Sequence, residues 1–206
     1  MAEQEGVIKY RLDFEPGPPP REDLRELIVC RSILHGLGMI GQHPDRYGGY
    51  GYGNLSQRAD GDAFVISASQ TGHLPELSAE HFTLVLEADI EANRVHARGP
   101  LPPSSEALTH AMIYRLDPAI ACVLHVHEPR LWRHGLETGL PRTGADIAYG
   151  TPRMAEAVKQ LFEQGDLAGR RILAMAGHED GVIGFGESVD QALGVLLSHW
   201  VIAQSL

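Results

Sequence analysis

PPSSEALTHAMIYRLDPAIACVLHVHEP, residues 102–129, decides the fold. Pro102 and Pro103 end an extended segment. Ser104 or Ser105 can then cap a helix running to about Leu116, with Glu106 in its first turn, where the helix dipole favours a carboxylate. Pro118 closes the connection. Residues 119–126 (AIACVLHV) are too continuously apolar for a half-solvated strand, so they predict a central strand covered on both faces. A strand covered twice needs helices on each side of its sheet.

The flanking sequence agrees. Upstream, a helix begins near Arg21, with Leu24, Leu27, Ile28, Ile33 and Leu34 roughly on one face, and glycines near Gly36–Gly41 end it. RYGGYGYGNLSQR (46–58) has permissive backbone that can approach a ligand closely. Strands are predicted at 63–67, 82–86 and 94–97. Downstream come a short helix at about 129–136 and a helix from Thr151-Pro152 to about Glu163. Two short strands follow, at 171–175 and 182–185. The last helix opens on the capping pattern Ser188-x-x-Gln191. Strands do not strictly alternate with helices, so the class is α/β with a mixed sheet between two helical layers. Residues 21–206 read as one domain, preceded by an N-terminal extended arm at 1–20, because EPGPPP (15–20) is stiff and unsuited to a sheet ladder.

Composition narrows the function. The 206 residues carry 17 Lys and Arg against 27 Asp and Glu, a net charge of −10. With no basic block, nucleic acid is excluded as a partner. No apolar run approaches membrane-helix length, and the charged, Pro-rich start lacks a signal-peptide core, so no membrane partner is expected and the default location is cytoplasmic. Cys30 and Cys122 sit in apolar stretches and read as buried free thiols. Histidine, at 11 residues, is the unusual count.

His125 and His127 alternate with Val126 and so share one face of the strand. Two imidazoles there are half of a tetrahedral metal site, or two surface histidines at a strand end. A cupin would place a glutamate four or five residues later, where Leu131 and Trp132 stand. A third ligand can come from His178, in the Gly-rich AMAGHEDGVIGFG, or from His134. Glu106 can ligate the metal or stand beside it as a base. His110, at i+4, orients Glu106 or packs in the core. Gly53-Asn54, Thr71-Gly72 and Ser104-Ser105 are candidate anion-binding backbone, or ordinary turns.

The order GNLSQR, FVIS…TG, PPSSEALTHAMIYR, VLHVHEP, YGTPRMAEAV, AGHEDGVIGFG resembles the class II aldolase/adducin family from about Leu27 to Ala203. The resemblance implies a three-layer αβα sandwich with a mostly antiparallel central sheet. It assigns a divalent metal, most often Zn2+ with Mn2+, Fe2+, Co2+ or Ni2+ as alternatives, to His125, His127 and His178. Glu106 is then close to the metal and is the acid–base residue. Gly53, Asn54, Thr71, Gly72, Ser104 and Ser105 would hold a sugar phosphate. A lyase acting through a metal-stabilised enediolate is implied, with the pKa of Glu106 raised by partial burial and then tuned by the cation. Epimerase, dehydratase and decarboxylase chemistry use the same site, and an adducin-head-like assembly module is the non-catalytic alternative. Family members are commonly cyclic homotetramers. Two departures stand out. Glu179 and Asp180 separate His178 from the glycine that normally follows it. The chain also stops at Leu206, where related aldolases add a tail carrying a catalytic tyrosine. Tyr149 is the candidate substitute proton donor, or a packed aromatic at a helix entry.

Overall fold

A computed structural model of the chain describes residues 6–205. The elements run β1 (Arg11–Pro16), α1 (Arg25–Gly36), β2 (Gly41–Gln42), β3 (Gly51–Tyr52), β4 (Asn54–Arg58), β5 (Phe64–Ser67), β6 (Phe82–Asp89), β7 (Arg94–Gly99), α2 (Ala107–Leu116), β8 (Cys122–His127), α3 (Pro129–Glu137), α4 (Pro152–Glu163), α5 (Asp166–Arg170), β9 (Ile172–Ala174), β10 (Gly181–Gly186) and α6 (Val189–Gln204). Eight strands form one sheet in the order β1-β7-β6-β5-β4-β8-β10-β9, and β2 pairs with β3 apart from it. Among these strand pairings only β1–β7 is parallel, so the sheet is mixed and mostly antiparallel, as expected.

Strand β8 is central and all six of its residues are buried. Alternation sends Val123 into a core with α2, α4 and α5, and Leu124 and Val126 into a second core with α1, α3 and α6. These two cores on opposite faces make the three layers. Side-chain caps hold three of the helices in place, two of them expected from sequence (Thr151 and Ser188) and the third, Glu128, not. Thr151 accepts from the Met154 amide with Pro152 at the first helical position, Ser188 accepts from Gln191, and Glu128 caps α3. Cys30 and Cys122 are free and buried.

The N-terminal arm differs from its expectation. Residues 1–5 lie outside the described residues, but Arg11–Pro16 ladders onto β7 from Arg11↔Arg94 to Pro16↔Gly99. An edge strand tolerates proline at its end, where a missing amide breaks no interior ladder. The first long helix begins at Arg25, and α5, β2 and β3 add to the elements read from sequence.

Candidate active site

The register of three strands assembles the site. Strand β8 lies between β4 and β10, with Asn54 opposite His125 and Gly181 opposite His127. The turn entering β10 is closed by His178 N–H donating to the Met175 carbonyl and Gly181 N–H donating to that of His178. It carries His178 back onto the His125–His127 face. A Cβ on Gly181 would lie 3.1 Å from the His178 carbonyl oxygen and 3.3 Å from His125 Cε1, so a residue without a side chain lets the turn close.

His125, His127 and His178 are all buried, with one nitrogen of each inside a 4.8 Å span. Their rings stand 4.6–5.1 Å apart. His134, the competing third histidine, is not in this group. Nδ1 of His125 is 3.3 Å from the Val182 carbonyl, which can only accept, so the proton belongs on Nδ1 and the lone pair on Nε2. That Nε2 lies 3.1 Å from Nε2 of His127. Three buried imidazoles presenting nitrogen to one point fit a divalent transition cation, zinc among them.

Glu106 faces the same point. It is 1% exposed, with Oε1 at 3.4 Å from His178 Nδ1 and 4.0 Å from His125 Nε2. These contacts are longer than a charge-assisted hydrogen bond of about 2.7–2.9 Å, so the carboxylate keeps lone pairs for another partner. Helix α2 starts at Ala107, which puts Glu106 at the cap position and not in the first turn. Its side chain makes no cap bond because it turns into the histidines, while its own amide donates to Ser104 Oγ. The expected upward pKa shift is also corrected. Burial pushes the carboxyl up, but the close His178 nitrogen and the charge that His125, His178 and His110 carry when protonated outweigh it and hold the group down at about 2.

His110 is fully buried, its Nδ1 2.7 Å from Ser56 Oγ, which is 2.7 Å from the Tyr114 hydroxyl. Burial lowers its pKa to about 3 against the pull of Glu106. Burial also holds His127 well below the usual range, helped by His178, His125 and Arg46, with the Glu179 carbonyl opposing. Neutral imidazole is the ligating form.

These directions predict acid lability. Below pH 6.5 the unfolded chain protonates histidines that His110 and His127 keep neutral when folded. Below about 4.5 it protonates a carboxyl that Glu106 keeps ionised. The unfolded state therefore binds more protons, and stability falls as pH falls. His110 alone should cost roughly 2 kcal/mol between pH 7 and pH 5, read as a lower urea midpoint at pH 5. A midpoint that rose on acidification would mean that these imidazoles are charged in the fold.

Of the candidate substrate segments, Gly53-Asn54 and Ser104-Ser105 adjoin the cluster through the register of β4 on β8 and through Glu106. Asn54 is buried beside His125, and its Oδ1 has no hydrogen-bond partner among the described residues. Gly53 has φ +74°, and a Cβ there would sit 2.7 Å from Ile40 Cγ1. An Ala68–Pro103 bridge and a bond from the Ser69 amide to the Pro102 carbonyl tie the start of the Thr71-Gly72 loop to the segment leading into Ser104-Ser105. The Thr71 hydroxyl donates to the Ala68 carbonyl at 2.9 Å, so it already has one protein partner. Gly72 packs so closely on Gly41 that a Cβ would lie 2.3 Å from its carbonyl oxygen.

Residues 6–10 cross this face. Ser69 and Gln70 side chains donate to the Gly6 carbonyl, and the Tyr10 hydroxyl donates to that of Ser104 at 2.8 Å. The Val7 amide donates to the Tyr149 hydroxyl at 3.3 Å, and Lys9 Nζ sits 3.5 Å over the Tyr149 ring. That ring is buried 4.5 Å from His178.

Sequence reasoning missed four further residues. Arg31 is buried in α1 and donates to the carbonyls of Thr71, Gly72 and Pro75, bracing the loop from behind. Its signal was an arginine four residues after Leu27 on an otherwise apolar face. Arg46, Tyr47 and Tyr52 pack around His127, from a stretch read only for its glycines.

The fold is an α/β sandwich in which three buried histidines and a glutamate converge on one point where a metal ion could be held. Residues 44–204 match the family described as Class II Aldolase and Adducin N-terminal domain, and the chain belongs to that family. L-fuculose-1-phosphate aldolase from Thermus thermophilus superposes with a TM-score of 0.63 at 20% identity, over 87% of this chain and 89% of that one. The sugar-phosphate aldolase from Thermotoga maritima gives 0.67 at 16% identity, over 89% and 93%. Both likenesses are of fold. Methylthioribulose-1-phosphate dehydratase of Stenotrophomonas maltophilia is 37% identical over 78 residues, 37% of this chain and 33% of that protein. The match therefore spans about a third of that relative. No helix among the described residues is long and apolar enough to cross a membrane.

Proposed function

We propose that this chain is a divalent-metal-dependent lyase acting on a small ketose or sugar phosphate. The observation that carries the reading is the convergence of His125, His127 and His178 with Glu106 in one buried cluster. A bound cation, Zn2+ in this proposal, supplies Lewis-acid stabilisation of negative charge developing on substrate oxygens. Glu106, ionised and unsaturated in hydrogen bonds, takes the proton from the substrate carbon or hydroxyl. Asn54, Gly53, Thr71, Gly72, Ser104 and Ser105 hold the phosphate through amide, hydroxyl and carboxamide groups, a set of donors that the net charge of −10 does not count. Tyr149, its ring tilted against that of His178, is the proposed donor to the leaving group.

Dehydration is the second reading, and the local likeness to methylthioribulose-1-phosphate dehydratases favours it. Cleavage and dehydration differ in the proton taken: cleavage removes it from the hydroxyl of the departing carbon as the C–C bond breaks, and dehydration removes it from the carbon beside the carbonyl, after which the C–O bond breaks and the hydroxyl leaves as water. Epimerisation and decarboxylation belong to the same proposal as lesser branches. Assembly as a cytoplasmic homotetramer completes it. Val29, Ile33 and Leu37, 58%, 41% and 41% exposed, form an apolar stripe on α1 that a second copy would cover.

Mass spectrometry of products from a panel of ketose 1-phosphates, with each candidate metal supplied, tests the reading. Two carbonyl fragments identify an aldolase, and loss of one water identifies a dehydratase. An unaltered panel with every metal would contradict the lyase reading.

A further inference from the structure

Asp180 is the departure in the sequence that the proposed chemistry does not use. It lies two residues after His178, yet it is outside the metal-ligand group. Its Oδ2 accepts a hydrogen bond from the Tyr47 hydroxyl at 2.7 Å, across 133 residues of sequence. The Tyr47 oxygen in turn accepts from Arg46 Nη2 at 2.7 Å. The same Nη2 donates to the His127 carbonyl at 3.3 Å, while Nη1 donates to the Tyr52 hydroxyl at 3.1 Å and to the Gly38 carbonyl at 3.0 Å. The guanidinium lies 4.6 Å over the Tyr52 ring and 5.0 Å over the Tyr47 ring. Both rings rest on the His127 imidazole, Tyr47 edge-on at 4.7 Å and Tyr52 tilted at 5.7 Å.

Backbone geometry sets this arrangement apart from ordinary packing. Tyr47 has φ +48° and Asp180 has φ +61°. A bulky side chain such as tyrosine rarely adopts that left-handed region, and aspartate tolerates it better than most. Two residues held there and joined to each other by a short hydrogen bond, beside a functional cluster, indicate strain retained for a purpose. The Asp180 carbonyl also accepts from the Glu128 amide at 3.0 Å, which ties the turn to the end of the His127 strand.

We propose that Arg46, Tyr47 and Asp180 form a clasp that fixes the His127 imidazole in its ligating orientation. This rests on the metal reading of the histidine cluster. Tyr47 and Asp180 are positioning residues. Neither donates an atom to the cation. Tyr47 restricts the ring by packing on one side and Asp180 holds Tyr47 there, while the Glu179 carbonyl is the hydrogen-bonding counterpart on His127 of the Val182 carbonyl on His125. Loss of such outer partners costs about 10–100-fold in metal affinity in other sites.

The test is a Co2+ titration of the full chain, followed by the visible absorption of the bound ion, with thermal melts of the metal-free proteins alongside. Asp180→Gly and Tyr47→Phe are each expected to weaken Co2+ binding by about 10–100-fold and to change the absorption band. Asp180→Asn keeps a carbonyl acceptor and tolerates positive φ, so it should bind nearly as the unsubstituted chain does. The double variant should be no weaker than either single, because both remove one bond. Asp180→Gly relieves the backbone, so its metal-free melting temperature should hold or rise while its Co2+ affinity falls. A merely structural role gives the opposite pattern: lower melting temperatures with unchanged affinity and spectrum, which overturns the clasp. Should Tyr47→Phe fail to fold, the Asp180→Gly and Asp180→Asn pair still decides. An unsubstituted chain that takes up no Co2+ overturns the metal reading and the clasp with it. Normal uptake by the unsubstituted chain and equal uptake by the variants overturns the clasp alone.

Discussion

Replacing His178 with alanine is expected to abolish metal binding and turnover together while leaving the fold intact. His178 sits in the turn before β10, outside the ladder bonds of the sheet. Its truncation therefore disturbs the core less than loss of His125 or His127, both fully buried on the central strand. Two imidazoles and a carboxylate remain, but the remaining set has lost one of three converging nitrogens. Affinity should fall by more than the roughly 10–100-fold that an outer partner is worth. Glu106 also loses its nearest neighbour, at 3.4 Å, and is left as a buried carboxylate with weaker compensation. Calorimetric titration with Zn2+ and a circular dichroism spectrum separate loss of the site from loss of the fold. Retained stoichiometric binding would remove His178 from the ligand set.

Glu106→Gln should separate the two functions that His178→Ala removes together. Glutamine keeps the shape and an oxygen that can accept from His178, so the histidines stay in place. It cannot take up a proton. Turnover should drop by about 10²–10⁴-fold, the usual worth of a positioned acid–base group, with metal content near that of the unsubstituted chain. Metal loss equal to that of His178→Ala would make Glu106 chiefly a ligand. Undiminished turnover would move the base elsewhere.

The central strand and its histidines were legible because two signals coincide there. A continuous apolar run marks a doubly covered strand, and period two puts His125 and His127 on one face. Helices α4 and α6 were legible from local caps at Thr151 and Ser188. Strand β1 was not, because prolines follow it closely and its ladder partner among the described residues, β7, lies far along the chain, Arg11 pairing with Arg94. Strands β2 and β3 have two residues each, too few to show a period. At the site, the expected chemistry of Glu106 missed the direction of its pKa: His178, His125 and His110 were already placed near it, but whether they outweigh burial depends on distances that sequence does not give. The Arg46–Tyr47–Asp180 contacts join segments far apart in the chain, so no local pattern announces them.

Metal content per chain decides whether His125, His127 and His178 hold a cation. The protein should be purified without chelator, dialysed against metal-free buffer and measured by elemental analysis, beside the His178→Ala variant handled in the same way. About one divalent transition-metal ion per chain, lost in the variant, is the predicted result. A folded chain that holds no such ion, even after incubation with Zn2+, Mn2+, Fe2+, Co2+ or Ni2+, would contradict it.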